Sequence, residues 1–100
     1  MNKHGIHVPV DAIADFCRRN GIARLALFGS VLRDDFTETN DIDILVDFLP
    51  GVRVGFSFVR MQDELTAMLG RPVDLNTPRS LSRYFRDEVL KEAEELYVAA

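Results

Sequence analysis

The chain has little cysteine, no long apolar run and no excess of positive charge. Cys17 is the only cysteine among 100 residues, so no intrachain disulfide can form. Its place in a periodic apolar pattern fits a buried, reduced thiol and a cytoplasmic setting. No apolar run approaches the ~18 residues that a membrane span requires. The opening stretch, MNKHGIHVPVDAIADF, holds no long apolar segment and no small-residue cleavage signal, so no secretory leader is expected. Lys and Arg number 12 against 16 Asp and Glu, a net charge of −4. That balance argues against a long nucleic-acid polymer as partner, since such binding uses a basic surface. It does not argue against a nucleotide held through metal ions, which carry the positive charge themselves. Internal repeats, linkers and low-complexity segments are also absent. One domain over residues 1–100 is therefore expected, with 1–8 as a short arm, ordered or frayed.

What is present suits a globular domain. Hydrophobic residues make up 47% and charged residues 28%. A chain of this size buries roughly two-thirds of its unfolded surface, enough for one modest core. His4 and His7 have no third ligand nearby in sequence, so no metal role is expected of them.

Pro9 suits a helix start, and Val10, Ile13, Phe16 and Cys17 recur at helical spacing before Asn20-Gly21 ends the run. This predicts a helix over 9–19, with Arg18 and Arg19 complementing the dipole in its last turn. Ile22 to Phe28 reads as a strand buried on both faces. A short helix over 30–33, a polar loop over 34–40 and a second strand over 41–47 follow. On that strand Ile42, Ile44, Val46 and Phe48 share the face expected in the core. Asp41, Asp43, Leu45 and Asp47 share the other. Phe58, Met61, Leu65, Met68 and Leu69 mark an amphipathic helix ended by Gly70. Pro72 to Asn76 is a short strand carrying Asp74, which points away from its apolar neighbours, either out of the core or into a site. From Thr77-Pro78 a helical stretch shows Leu81, Phe85, Val89, Ala93 and Leu96 on one side, with a break near Ser82. Residues 94–100 end as helix or as an edge strand. The fold class is α/β (α+β), a small mixed sheet covered by helices in the order α-β-α-β-α-β-α.

The chemistry concentrates in FGSVLRDDFTETNDIDILVDF, residues 28–48. On an extended strand Asp41 and Asp43 point to one face, and two such carboxylates repel each other unless a cation lies between them. Oxygen-only ligands favour a hard ion such as Mg²⁺, which also binds substrate phosphates. Gly29-Ser30 supplies a bend and a hydroxyl at a helix start, where free N–H groups bind anions. Each fragment also has a plain structural reading: solvated acids at a strand entrance, and a strand-to-helix turn with a serine cap. The ordered combination, with an acid on a third strand, points to metal-assisted chemistry on a nucleoside triphosphate.

That combination resembles the nucleotidyltransferase superfamily related to DNA polymerase β. Within it the chain resembles the minimal nucleotidyltransferases, the antitoxins paired with HEPN-domain toxins. The family pattern is Gly-Ser, ten intervening residues, then Asp-x-Asp; here ten residues separate Ser30 from Asp41-Ile42-Asp43. The likeness also covers FCRRNGI, LALFGSVLRDDF, MQDELTAMLGRPVDLNTPRSL and YFRDEVLKEAEELY. Asp34 departs from it, where many relatives have glycine. The resemblance implies a nucleotidyltransferase-like fold, ATP as substrate and two Mg²⁺ ions. It assigns Gly29 and Ser30 to the triphosphate, and Asp41, Asp43 and Asp74 to metal and catalysis. Arg33 either touches phosphate or braces the loop. It further implies transfer of AMP to a tyrosine hydroxyl of a partner HEPN RNase, which is thereby neutralised. Inhibition by binding alone, and transfer to a small-molecule hydroxyl, are the alternatives. The small size leaves little chain for recognising an acceptor, so the acceptor should arrive on a folded partner. Arg79, Arg83 and Arg86 share a face if their stretch is helical. That face is solvated, or it meets phosphate or an acidic partner. Glu88, Glu92, Glu94 and Glu95 read as a solvated face.

Overall fold

A computed structural model describes residues 1–33 and 40–100. The expected loop over 34–40, including the departure at Asp34, lies outside the described residues except for Asn40. The elements in chain order are β1 (Asn2–Lys3), β2 (Ile6–His7), α1 (Val10–Arg19) and β3 (Ile22–Phe28). A 3-10 turn (Gly29–Leu32), β4 (Ile42–Phe48), α2 (Ser57–Leu69) and β5 (Val73–Asn76) follow. A second 3-10 turn (Pro78–Ser80), α3 (Arg86–Glu92) and β6 (Glu94–Val98) complete the chain.

Four strands form one mixed sheet in the order β5-β4-β3-β6. β3 pairs antiparallel with both β4 and β6, while β4 and β5 run parallel. Register sorts the side chains. Leu25 lies opposite Val46, Leu27 opposite Ile44, and Ile44 opposite Leu75. These residues, with Ile42 and Val73, make the face that joins the buried core. Ile13, Phe16 and Cys17 of α1 and Met61, Leu65 and Leu69 of α2 complete that core. Burial of such side chains is the main stabilising contribution, about 1.5–3 kcal/mol for each large one.

Local chemistry fixes the helix ends. The Asn20 amide donates to the Phe16 carbonyl at 2.8 Å, closing α1. Gly70 adopts a left-handed conformation, φ 71°, and its N–H reaches the Thr66 carbonyl at 2.9 Å, ending α2. α2 also completes the outer strand. Thr66 Oγ1 accepts from the Val73 N–H at 3.1 Å and Gln62 Oε1 from the Leu75 N–H at 3.0 Å. Two backbone donors of β5 are thus satisfied without another strand.

The arm over 1–8 takes the ordered of its two expected forms, and three expectations need revision: the place of Leu45, the helix from Thr77, and the shared faces of the arginines and glutamates. Residues 1–8 hold an antiparallel hairpin whose Ile6 joins the core, and Val8 beyond it is buried too. Leu45, expected on the open face, is 2% exposed, and the Pro78–Ser80 turn comes close to β4. The stretch from Thr77 is not one helix: it is a 3-10 turn, a bend and only two turns of α3, and residues 94–98 resolve to an edge strand. Arg79, Arg83 and Arg86 consequently share no helical face. Arg86 instead donates to the carbonyls of Pro78 at 2.7 Å and Leu81 at 3.0 Å, and Arg83 stacks over Tyr84. The acids separate likewise, with Glu94 bonded to His4 at 2.6 Å and Glu95 paired with Arg24 at 3.3 Å. No helix among the described residues is long and apolar enough to cross a membrane.

Candidate active site

Three segments distant in sequence meet at one end of the sheet. β3 ends at Phe28 and runs into Gly29-Ser30, β4 begins one residue after Asp41, and β5 carries Asp74. Phe28 lies opposite Asp43, and Asp43 lies opposite Asp74. The three form a row across β3, β4 and β5 on the face away from the main core. Neighbouring strands stand about 4.8 Å apart, so this register sets the two acids side by side.

The Gly29 turn presses on that row. Its φ is +74°, a conformation that side chains disfavour, and a Cβ there would run into the Asp43 carboxylate. Glycine at 29 lets the backbone come this close. The approach brings the Ser30 N–H to Asp43, where it donates a hydrogen bond. Ser30 therefore contributes its backbone, and no side-chain cap closes the 3-10 turn.

Asp43 is the half-buried centre, with Asp41 and Asp74 exposed around it. Its carboxyl is held above the ordinary range, first by burial and next by the Asp74 charge. The Ser30 N–H opposes this, Asp41 adds to it, and the Arg33 guanidinium opposes it again. The structure thus gathers Gly29, Ser30, Arg33, Asp41 and Asp74 around Asp43.

Among the described residues, no three His, Cys, Asp or Glu side chains close on a point as a ready metal cage. The donor chemistry nevertheless fits a hard divalent ion. Every candidate ligand is a carboxylate, and the negative charge crowded at Asp43 is what such an ion would neutralise.

Sequence reasoning missed one feature. Phe85 and Val89 read as the core-facing stripe of a helix, yet they line a cavity of about 480 Å³ together with Phe28 and Gly29. Phe85 remains 62% exposed. The signal is the spacing of Phe85, just before α3, and of Glu88, Val89 and Glu92 along one side of it.

Comparison with known proteins places this geometry. Residues 10–96 match the nucleotidyltransferase domain family. A Methanocaldococcus jannaschii protein provisionally named a protein adenylyltransferase is 40% identical over 75 residues, which are 75% of this chain and 80% of that protein. Protein adenylyltransferase MntA of Thermococcus cleftensis is 37% identical over 76 residues, 74% of each chain. Among solved structures, one provisionally described as a minimal nucleotidyltransferase superposes with a TM-score of 0.69 at 36% identity, covering 84% of this chain and 85% of the other. A toxin–antitoxin structure with AMP-PNP gives 0.70 at 23% identity, covering 92% and 75%. A complex of tri-AMPylated Shewanella oneidensis HEPN toxin with its MNT antitoxin gives 0.62 at 24%, covering 90% and 70%. The last two likenesses concern the fold. With a family model spanning sheet and helices and relatives at these identities, the chain belongs to the nucleotidyltransferase domain family, as a nucleotidyltransferase of the minimal type.

Proposed function

We propose that this nucleotidyltransferase is an antitoxin that transfers AMP from ATP to a tyrosine hydroxyl of a HEPN-domain RNase toxin and so silences it. The observation that carries the chemistry is the row of Asp43 and Asp74 beside the Gly29 turn. The partner is supported by relatives named protein adenylyltransferases and by folds seen in complexes with HEPN toxins. The reading treats residues 1–100 as one nucleotidyltransferase domain. It sets the reaction in the cytoplasm, where ATP is supplied and Cys17 stays reduced.

The backbone at Gly29-Ser30, with Arg33 beside it, binds the triphosphate. Asp41, Asp43 and Asp74 are the residues that would hold Mg²⁺, which would neutralise phosphate charge and make the acceptor hydroxyl more acidic. Asp74, on the exposed side of the row, takes the proton from the acceptor hydroxyl on a carboxylate oxygen. The freed oxygen attacks the α-phosphorus of ATP. The bond from that phosphorus to the bridging oxygen breaks, and pyrophosphate leaves. The rigid mount matters because misplacing reacting groups by about 1 Å can cost 10²-fold in rate.

The test is intact-mass measurement on the chain co-purified with the product of its neighbouring gene, after incubation with ATP and Mg²⁺. Gain of one or more adenylyl units by the partner, lost in Asp41→Ala and Asp43→Ala, is the expected result. A stable complex whose partner never gains mass would replace this reading with inhibition by binding.

A further inference from the structure

The cavity beside the Gly29 turn has two chemically different ends. Gly29 and Arg33 border it on the side of Asp43, and Glu88 and Glu92 border it from α3. Between them lie Phe28, Phe85 and Val89. At about 480 Å³ the space exceeds what a purine base fills and lies within the usual range for small-molecule pockets. An exposed phenylalanine over such a space offers a stacking face. The two glutamates are acceptors only when ionised, so they favour an N–H edge over a carbonyl edge.

We propose that this cavity receives the base of the nucleoside triphosphate, with Phe85 stacked on it and Glu88 or Glu92 accepting from its exocyclic amino group. The inference rests on the nucleotidyltransferase reading and adds to it the side chains that read the base. Its physical basis is continuity: Phe28 is the cross-strand neighbour of Asp43, and Gly29 touches that carboxylate. A triphosphate seated on the turn has its nucleoside end free to enter the cavity. Of the charged side chains in the lining, Arg33 acts on Asp43 and the two glutamates come from α3, charges that suit the phosphates and an amino-bearing base in turn. Hypoxanthine, which has no exocyclic amino group, would offer the carboxylates only its N1–H, beside a repelling 6-carbonyl.

Calorimetry on the full chain tests this with Mg²⁺-ATP, Mg²⁺-ITP and Mg²⁺-tripolyphosphate. ATP should bind at least about tenfold more tightly than tripolyphosphate, which lacks a base to stack. Val89→Trp fills the cavity and should bring ATP down to the tripolyphosphate level while leaving tripolyphosphate unchanged. Phe85→Ala, at an exposed position where folding is not at stake, should weaken ATP several-fold and tripolyphosphate not at all. The double variant Glu88→Gln, Glu92→Gln should bring the ATP-to-ITP ratio close to one, because an amide serves either edge. Equal binding of ATP and tripolyphosphate by the unaltered chain, or ATP binding indifferent to both Val89→Trp and Phe85→Ala, overturns the base pocket and leaves the phosphate site standing. Failure of all three ligands to bind overturns the nucleotidyltransferase reading as well.

Discussion

Asp43 and Asp74 stand opposite each other on the parallel pair β4–β5, and Gly29, in the turn that follows β3, lies so near the same Asp43 carboxylate that a Cβ there would collide with it. The candidate site is therefore a place where two acids and a backbone turn are forced together by strand register. Parallel pairing makes this possible, because both strands enter the sheet from the same end.

Removing the acid on the outer side of the row separates chemistry from folding. Asp74→Asn should reduce adenylyl transfer at least about 10²-fold, the scale of a lost general base. It also takes a negative charge away from Asp43, so in EDTA its melting temperature should equal or exceed that of the unaltered chain. A variant that melts lower in EDTA would show that Asp74 holds the fold together and that its charge is not in conflict with Asp43.

Divalent cations should relieve the same crowding of charge. Mg²⁺ that binds only the folded carboxylate cluster stabilises by mass action, about 2.7 kcal/mol at 100 times its dissociation constant. The melting temperature of the unaltered chain should rise with added Mg²⁺, and that of Asp43→Ala should not. EDTA should reverse the rise.

Gly29→Ala tests the close approach. The new methyl meets the Asp43 carboxylate, and φ of +74° is unfavourable for alanine. Backbone strain of this kind costs about 1–3 kcal/mol. We expect a fall of that size in urea-unfolding stability and loss of most transfer activity, whereas Gly51→Ala, which has open space at its Cβ, should leave activity unchanged.

Arg86 holds the segment that leads from Asp74 to the cavity. Its guanidinium spans the carbonyls of Pro78 and Leu81, a fork that lysine cannot reproduce. Arg86→Lys should cost about 1–2 kcal/mol in urea unfolding, the order of one charge-assisted hydrogen bond. Equal stability of the lysine variant would show that charge alone suffices there.

Cys17 gives the pH dependence. Burial pushes its thiol up to about 12, against which the nearby Arg18 charge works only weakly. In the unfolded chain the thiol ionises near ~8.5. Between these values the unfolded state has lost a proton that the folded state keeps, so stability falls as pH rises through that window and is unaffected below it. Urea midpoints should drop more between pH 7.5 and 10 for the unaltered chain than for Cys17→Ala. At pH 8 the native thiol should resist disulfide reagents until urea unfolds the chain.

Much of this molecule was determined by sequence alone. Helical spacing in Ile13, Phe16 and Cys17 and in Met61, Leu65 and Leu69 specified α1 and α2, because a 3.6-residue period has only one way to face a core. The run Leu25 to Phe28 and the alternation Ile42, Ile44, Val46 specified β3 and β4 within a residue of their ends. Gly29-Ser30 and Asp41-x-Asp43 mark the candidate site through their order and spacing, since each fragment alone is an ordinary turn or strand entrance. Tertiary structure decided the rest. Alternation puts Leu45 on the open face, yet it is buried there, which strand periodicity cannot foresee. Local pattern leaves residues 94–100 open between helix and edge strand, and the free edge of β3 decides for the strand, because pairing across the sheet outweighs local propensity. Asp74 is an ordinary strand acid by periodicity, and only parallel register with β4 brings it to Asp43. The base cavity likewise exists only where α3 folds back over Phe28 and Gly29, a juxtaposition of residues more than 50 positions apart that no local pattern encodes.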